Sequence, residues 1–243
     1  MFTTINNVLF SFNLDYFLVG AIARDIQLSS QPGFAAKRKT NDIDIAVLID
    51  TEDQFYQIKE ALIATGQFEQ ASNNPIKLIY RHSIELDLLP FGEIENEERI
   101  LTLNKDVLFS MDMSGFKEVY PFVKIHSVAN DIKLKVCSLE GIVLLKLISN
   151  DNNPNRTKDI TDIEHLITVY FELYDSVIYN DYFDVMDLYS TQSLNYLHLV
   201  SARVIGRKIN TLLTKNEGKK NVTRILTRRP TETWQAMLDG LND

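Results

Sequence analysis

The chain has 243 residues, 45% of them apolar, and a formal net charge of −8. This length supports a full hydrophobic core, as one domain with a helical extension or as two small domains, and the net acidity argues against a generic nucleic-acid binder. The single cysteine, Cys137, excludes an internal disulfide and a cysteine-built zinc cage; the longest apolar run, residues 142–148, is interrupted by Lys146 and too short to span a bilayer. Residues 1–11 have no basic start of the secretory kind, so a cytoplasmic protein with no membrane partner is expected.

The first half alternates strands and helices. Residues 2–10 have helical spacing, residues 16–19 read as a short strand, and Gly20 opens a turn into a helix carrying residues 21–28. A polar loop over residues 27–40, with Pro32 and Gly33, delivers the chain to a strand over 42–49. Thr51 or Asp50 caps a helix over 52–65 that Gly66 ends. Strands are expected over 76–81 and 84–89, with Pro90 closing the second, and a hairpin near 119–136 with Asn130-Asp131 at its turn; Cys137 reads as a packed strand position. From Ser138 the spacing is helical almost throughout, with breaks at 151–155, around Asn180, at Glu217-Gly218 and at Arg229-Pro230. The expected organisation is an α+β (α/β) core with a mixed sheet over residues 1–137 and a helical domain over residues 138–243.

Four segments carry the chemistry. In TNDIDIAVLI, Asp42 and Asp44 stand two apart on a strand while Ile43, Ile45 and Val47 take the other face, because side chains alternate across a sheet. Two carboxylates sharing a face repel unless a cation neutralises them, and hard oxygen ligands suit Mg²⁺ or Mn²⁺; an exposed strand edge with two acids is the plainer reading. In SIELDLLPFG, Asp87 sits deep in an apolar strand, where burial favours a cation or hydrogen bonds; the plain alternative is an edge strand with Asp87 facing solvent or bonded to a neighbouring turn, and Glu85 on the same face is a weaker candidate. In FLVGAIARDI, the small residues Gly20 and Ala21 let the backbone approach a triphosphate at a helix start, with Arg24 one turn in; such turns are also common without function.

The fourth segment spans residues 139–167. Lys146 is surrounded by apolar residues and must either snorkel out or point into a polar cleft. In the next helix Ile160, Ile163 and Ile167 form the core stripe, Asp159 favours the helix start, and Asp162 is the partner expected for Lys146, as a functional pair or a structural salt bridge. Beyond residue 200 the charge reverses: nine Lys/Arg stand against four Asp/Glu. This basic tail, from Arg203 and Arg207 to Lys219, Lys220 and Arg229, either meets phosphates or forms solvated helix faces.

In order and spacing, FLVGAIARD, RKTNDIDIAV, IELDLLPFG, Lys146 in LLKLI and RTKDITDIEHLI resemble the nucleotidyltransferases of the DNA polymerase beta superfamily, and within it the AbiEii/AbiGii toxin-like family of phage defence and toxin–antitoxin systems. The resemblance implies that Asp42 and Asp44 hold two divalent ions (Mg²⁺ or Mn²⁺), with Asp87 the third carboxylate and an aid to deprotonating the incoming hydroxyl. It implies that Gly20 and Ala21 contact the triphosphate, that Thr40 and Lys146 bind nucleotide phosphates, and that Asp162 is a late essential acid contributed by the helical part. A nucleoside triphosphate donor, an RNA or tRNA end or a protein as acceptor, and a cognate antitoxin are the implied partners. Two departures stand out: Ala21 replaces the usual Gly or Ser, and the gap to Asp42 is long. Neither removes a catalytic group. A degenerate nucleotide-binding or protein-interaction module and a metal-dependent phosphohydrolase are the competing readings; His82, His126, His165 and His198 sit in no metal-binding pattern that would favour the latter.

Overall fold

The computed structural model describes residues 1–29, 42–71, 74–105, 107–128 and 132–243. The contacts divide it into two compact units, Met1–Ser138 and Leu139–Asp243.

The first unit opens with α1 (Phe2–Ser11), whose Ile5 and Leu9 are buried. Strand β1 (Tyr16–Val19) runs directly into α2 (Gly20–Ser29), so residues 27–29 continue the helix rather than starting the expected loop. The rest of that loop, with Thr40 in it, lies outside the described residues. Strand β2 (Asp42–Leu48) follows, with Ile43, Ile45 and Val47 buried, as a period of two requires. Thr51 caps α3 (Glu52–Ala64) by accepting the Gln54 backbone N–H at 3.2 Å.

Next come β3 (Phe68–Gln70), β4 (Lys77–Tyr80) and β5 (Ile84–Phe91). A tight connection joins β4 to β5, with Arg81 and His82 both at positive φ. Pro90 does not close β5 but lies inside it, opposite Val47 of β2. It is tolerated because β4 pairs only with residues 84–87 of β5, so among the described residues no strand on that edge needs the missing N–H of Pro90.

A separate two-stranded hairpin, β6 (Ile100–Leu103) and β7 (Phe109–Asp112), was not expected from the sequence. The hairpin expected from Val119 begins later. Val119 ends the short helix α4 (Phe116–Val119), a 3₁₀ turn follows at Tyr120–Phe122, and β8 (Lys124–Val128) pairs antiparallel with β9 (Ile132–Val136). The turn expected at Asn130-Asp131 lies outside the described residues. Cys137 is buried just past β9, where its N–H bonds Leu18 O at 3.0 Å.

Among the described residues the main sheet has the order β3-β4-β5-β2-β1-β9-β8. The β2–β5 and β1–β9 pairs are parallel and the others antiparallel, making this a mixed sheet.

The second unit is helical: α5 (Leu139–Asn152), α6 (Thr157–Leu173), α7 (Asp175–Asp181), α8 (Phe183–Met186), α9 (Tyr196–Leu212), α10 (Asn216–Thr227) and α11 (Glu232–Asn242). Glu217 and Gly218 fall inside the first turn of α10, not at a break; the break precedes them. The buried stripe of α6 is Ile163, Leu166, Ile167, Tyr170 and Leu173, with Ile160 only half-buried. Helices α9 and α11 cross on two glycines. A Cβ at Gly206 would lie 2.0 Å from Met237 O, and one at Gly240 would lie 2.0 Å from Arg203 O. Only the missing side chains let the two backbones approach so closely. Among the described residues no helix is long and apolar enough to cross a membrane.

Candidate active site

Strand register assembles the acids of the first unit. Asp44 pairs with Asp87 and Asp42 with Glu85 across the parallel β2–β5 pair, so all four point to the face opposite Ile43, Ile45 and Leu86. On the far side of β5, Lys77 of β4 is the antiparallel neighbour of Asp87. Val19 of β1 is the neighbour of Asp44 on its other side, and the next residue is Gly20. The row Lys77, Asp87, Asp44, Val19 thus crosses four strands.

Gly20 begins α2 at φ 65°, and a Cβ there would lie 2.1 Å from Asp44 Oδ2. The turn therefore admits no side chain, because the Asp44 carboxylate occupies that space. Ala21 follows in the first turn, half-buried, and no acidic residue stands in that turn to compete for the free N–H groups. Arg24 lies one turn further along α2. It is 6% exposed, and its Nε and Nη2 both donate to Asp25 Oδ1, at 2.9 and 2.8 Å. The phosphate contact expected of Arg24 stays an expectation; in the structure its guanidinium is bonded to the neighbouring Asp25.

Asp87 is half-buried, and its Oδ1 has no hydrogen-bond partner among the described residues. Lys77 Nζ lies 3.7 Å away, within ion-pair range but beyond a hydrogen bond. Its hydrogen bond goes instead to Glu85 Oε2. Burial pushes the Asp87 carboxyl above the ordinary carboxylate range; Lys77 pulls it back, while the like charges of Glu85 and Asp42 push it up again. Such an oxygen, beside two further carboxylates on the same face, fits a hard divalent cation. Among the described residues no three acids are already drawn into a cage of metal-ligating size. The Asp42, Asp44 and Asp87 side chains are set side by side by register, each on its own strand position. Lys77 is the residue that sequence reasoning missed, because its relation to Asp87 depends on the register of a hairpin.

In the second unit Lys146 is enclosed as its apolar neighbours demand, with its side chain 13% exposed. Its Nζ donates to Asp162 Oδ2 at 2.8 Å and to Asp159 Oδ1 at 3.0 Å. The partner expected, Asp162, is there, but Asp159 shares the ammonium and is the more buried of the two. Arg156 Nε completes the network on Asp159 Oδ2 at 2.7 Å. Burial raises the Asp159 carboxyl, yet Arg156 and Lys146 outweigh it and hold it below the usual range.

Four of the nine basic residues of the tail are paired with acids of the same unit. Arg203 and Arg207 grip Asp243 at 2.7 and 2.6 Å, Arg207 also holds Asp184, and Arg224 and Arg228 converge on Asp151 at the end of α5. Lys208 lies 5.0–5.9 Å from the ring centres of Tyr170, Tyr174 and Tyr182, and Arg229 lies 5.2 Å from that of Trp234. Lys215 and Lys220, exposed, and Lys219, half-buried, make no ion pair with a described residue.

Residues 17–243 match the family model described as nucleotidyl transferase AbiEii toxin, type IV toxin–antitoxin system. The chain is therefore a nucleotidyltransferase and belongs to the AbiEii toxin family. A comparison with curated proteins finds no match. Similar solved structures include the antibiotic-resistance factor ANT(2'')-Ia in solution, at 14% identity over 85% of this chain and 90% of that one, TM-score 0.41. The same factor in complex with adenylyl-2''-tobramycin has 14% identity over 85% of this chain and 96% of that one, TM-score 0.42. The lincosamide antibiotic adenylyltransferase LnuA, lincomycin-bound, has 17% identity over 59% and 82%, TM-score 0.36.

Proposed function

We propose that this family member is a divalent-metal-dependent enzyme that transfers a nucleoside monophosphate from a nucleoside triphosphate to an acceptor hydroxyl, as the toxin of a toxin–antitoxin pair. The observation that carries the metal dependence is the Asp87 oxygen, buried without a hydrogen-bond partner and in register with Asp44. Asp42, Asp44 and Asp87 would hold Mg²⁺ or Mn²⁺, which supplies charge neutralisation for both the attacking and the leaving oxygen of an in-line displacement.

The residues of the chain do the rest. Gly20 leaves the turn bare so that a phosphate can approach the first N–H groups of α2, beginning at Ala21, with the Asp44 carboxylate alongside. Asp87, whose carboxyl is pushed up by burial, is the group suited to accept the acceptor's proton. The new bond joins the acceptor oxygen to the alpha phosphorus as the bond to pyrophosphate breaks. Lys146 and Asp162 are assigned to the reaction, as phosphate ligand and essential acid, on the family pattern; the same pattern assigns Thr40 to phosphate.

We favour an RNA 3′ end as acceptor. The support is the basic cluster Lys215, Lys219 and Lys220, since Arg203, Arg207, Arg224 and Arg228 are engaged with internal acids and Arg229 lies against Trp234. The test is incubation of the protein and its Asp44→Asn variant with Mg²⁺, each alpha-labelled nucleoside triphosphate in turn, and total RNA and protein. Label on an RNA band that disappears in the variant and with chelator is the expected result. Label on protein would replace the acceptor, and labelled transfer that survives both Asp44→Asn and chelator would overturn the metal reading.

A further inference from the structure

Four carboxylates, not three, share the acid face. Glu85 pairs in register with Asp42 and stands two residues before Asp87, so it adjoins the proposed cation ligands as closely as they adjoin one another. Among the described residues Lys77 stands beside them: its cross-strand neighbour is Asp87, but its ammonium passes Asp87 at 3.7 Å and bonds Glu85 diagonally. The direct cross-strand neighbour of Glu85 is Ile79, which offers no charge. Lys77 is largely enclosed, with its side chain 23% exposed, and its hydrogen bond to Glu85 and its proximity to Asp87 keep its ammonium above its ordinary value.

We propose that Lys77 is a positioning residue that withholds Glu85 from the metal, so that the cation site comprises Asp42, Asp44 and Asp87 and not a fourth carboxylate. This rests on the metal reading above. A lysine bonded to Glu85 neutralises an acid that would otherwise compete for the cation, and its ammonium stays 3.7 Å from Asp87 Oδ1, too far to hydrogen-bond that oxygen. The two partners then act in opposite directions. Removing the lysine charge releases Glu85 to the cation; removing the Glu85 charge releases Lys77 onto Asp87.

The experiment is a thermodynamic cycle on the whole protein, read by Mn²⁺ binding from the electron paramagnetic resonance signal of free Mn²⁺. Lys77→Met is expected to bind Mn²⁺ about fivefold more tightly, the size of one partly screened charge pair. Glu85→Gln is expected to bind it about fivefold more weakly, and the double variant to return near the original affinity. Lys77→Arg, which keeps the charge, should change little, and thermal unfolding checks that each variant is folded. If Lys77→Met does not fold, the sign of the Glu85→Gln effect decides alone. Unchanged affinity in both single variants, or a double variant that still binds Mn²⁺ about fivefold more tightly than the original protein, would overturn the proposal and leave the metal reading intact. Mn²⁺ binding that is absent, or indifferent to Asp44→Asn, would remove the metal reading and this inference with it.

Discussion

The same residue type meets opposite treatment in the two units. In the helical unit Asp151, Asp159 and Asp243 are each held by two cations, and each carboxyl is kept below its ordinary value; for Asp243 the hydrogen bond from Arg203, joined by Arg207, brings it to about 2. On the sheet, Asp87 has an oxygen that no donor reaches, and its carboxyl is pushed up. Acids held by two cations stabilise a fold at modest gain, whereas an acid whose buried oxygen lacks a hydrogen bond is held ready for a cation that comes from outside. Charge count alone does not separate the two cases; partners do.

The contrast can be broken most severely at Gly20. Gly20→Ala drives a methyl into the Asp44 carboxylate, and transfer should fall about a hundredfold, equivalent to about 3 kcal/mol of barrier, with little change in helix content by circular dichroism. The opposite control lies in the helical unit. Gly206→Val meets the Met237 carbonyl, and denaturant unfolding should show a loss of about 2–3 kcal/mol. Lys146→Met turns a paired acid into a partly unpaired one, because Asp159 keeps only Arg156; a stability loss of about 2 kcal/mol is expected, and Lys146→Met with Asp159→Asn should recover part of it. If recovery extends to stability but not to transfer, Lys146 serves the reaction as well as the fold.

The smallest effect is on acid stability. The folded Asp243 carboxyl titrates near 2, below its unfolded value of about 3.9, so its contribution is present above pH ~4 and is lost as pH falls toward 2. Asp243→Asn should flatten the fall in melting temperature over that window. The group is near the surface, so the change should be shallow and should shrink in high salt.

Much of the sheet was legible because its rules are local. Alternation puts Asp42 and Asp44 on one face with Ile43 and Ile45 on the other, and where the spacing turns helical from Ser138, α5 begins at Leu139. What was not legible depends on partners far along the chain. Arg224 and Arg228 look like a free basic tail until Asp151, more than 70 residues earlier, is brought to them. Asp159 reads as a helix-start acid until the fold closes it over Lys146. The β6–β7 hairpin was not expected, although its strands are four residues each, the same length as β1 and β4, which were.

The connection between β4 and β5 carries a consequence for how the acid face is metered. Because Arg81 and His82 adopt left-handed backbone conformations, three residues suffice to pair Tyr80 with Ile84, and this pairing sets Lys77 opposite Asp87 three steps further on. A loop longer or shorter by one residue would carry Lys77 to the opposite side of the sheet. The spacing between fixed charges is thus gauged by a surface turn that contains none of them, and an insertion there would rewire the site's electrostatics while leaving every one of its residues in the sequence.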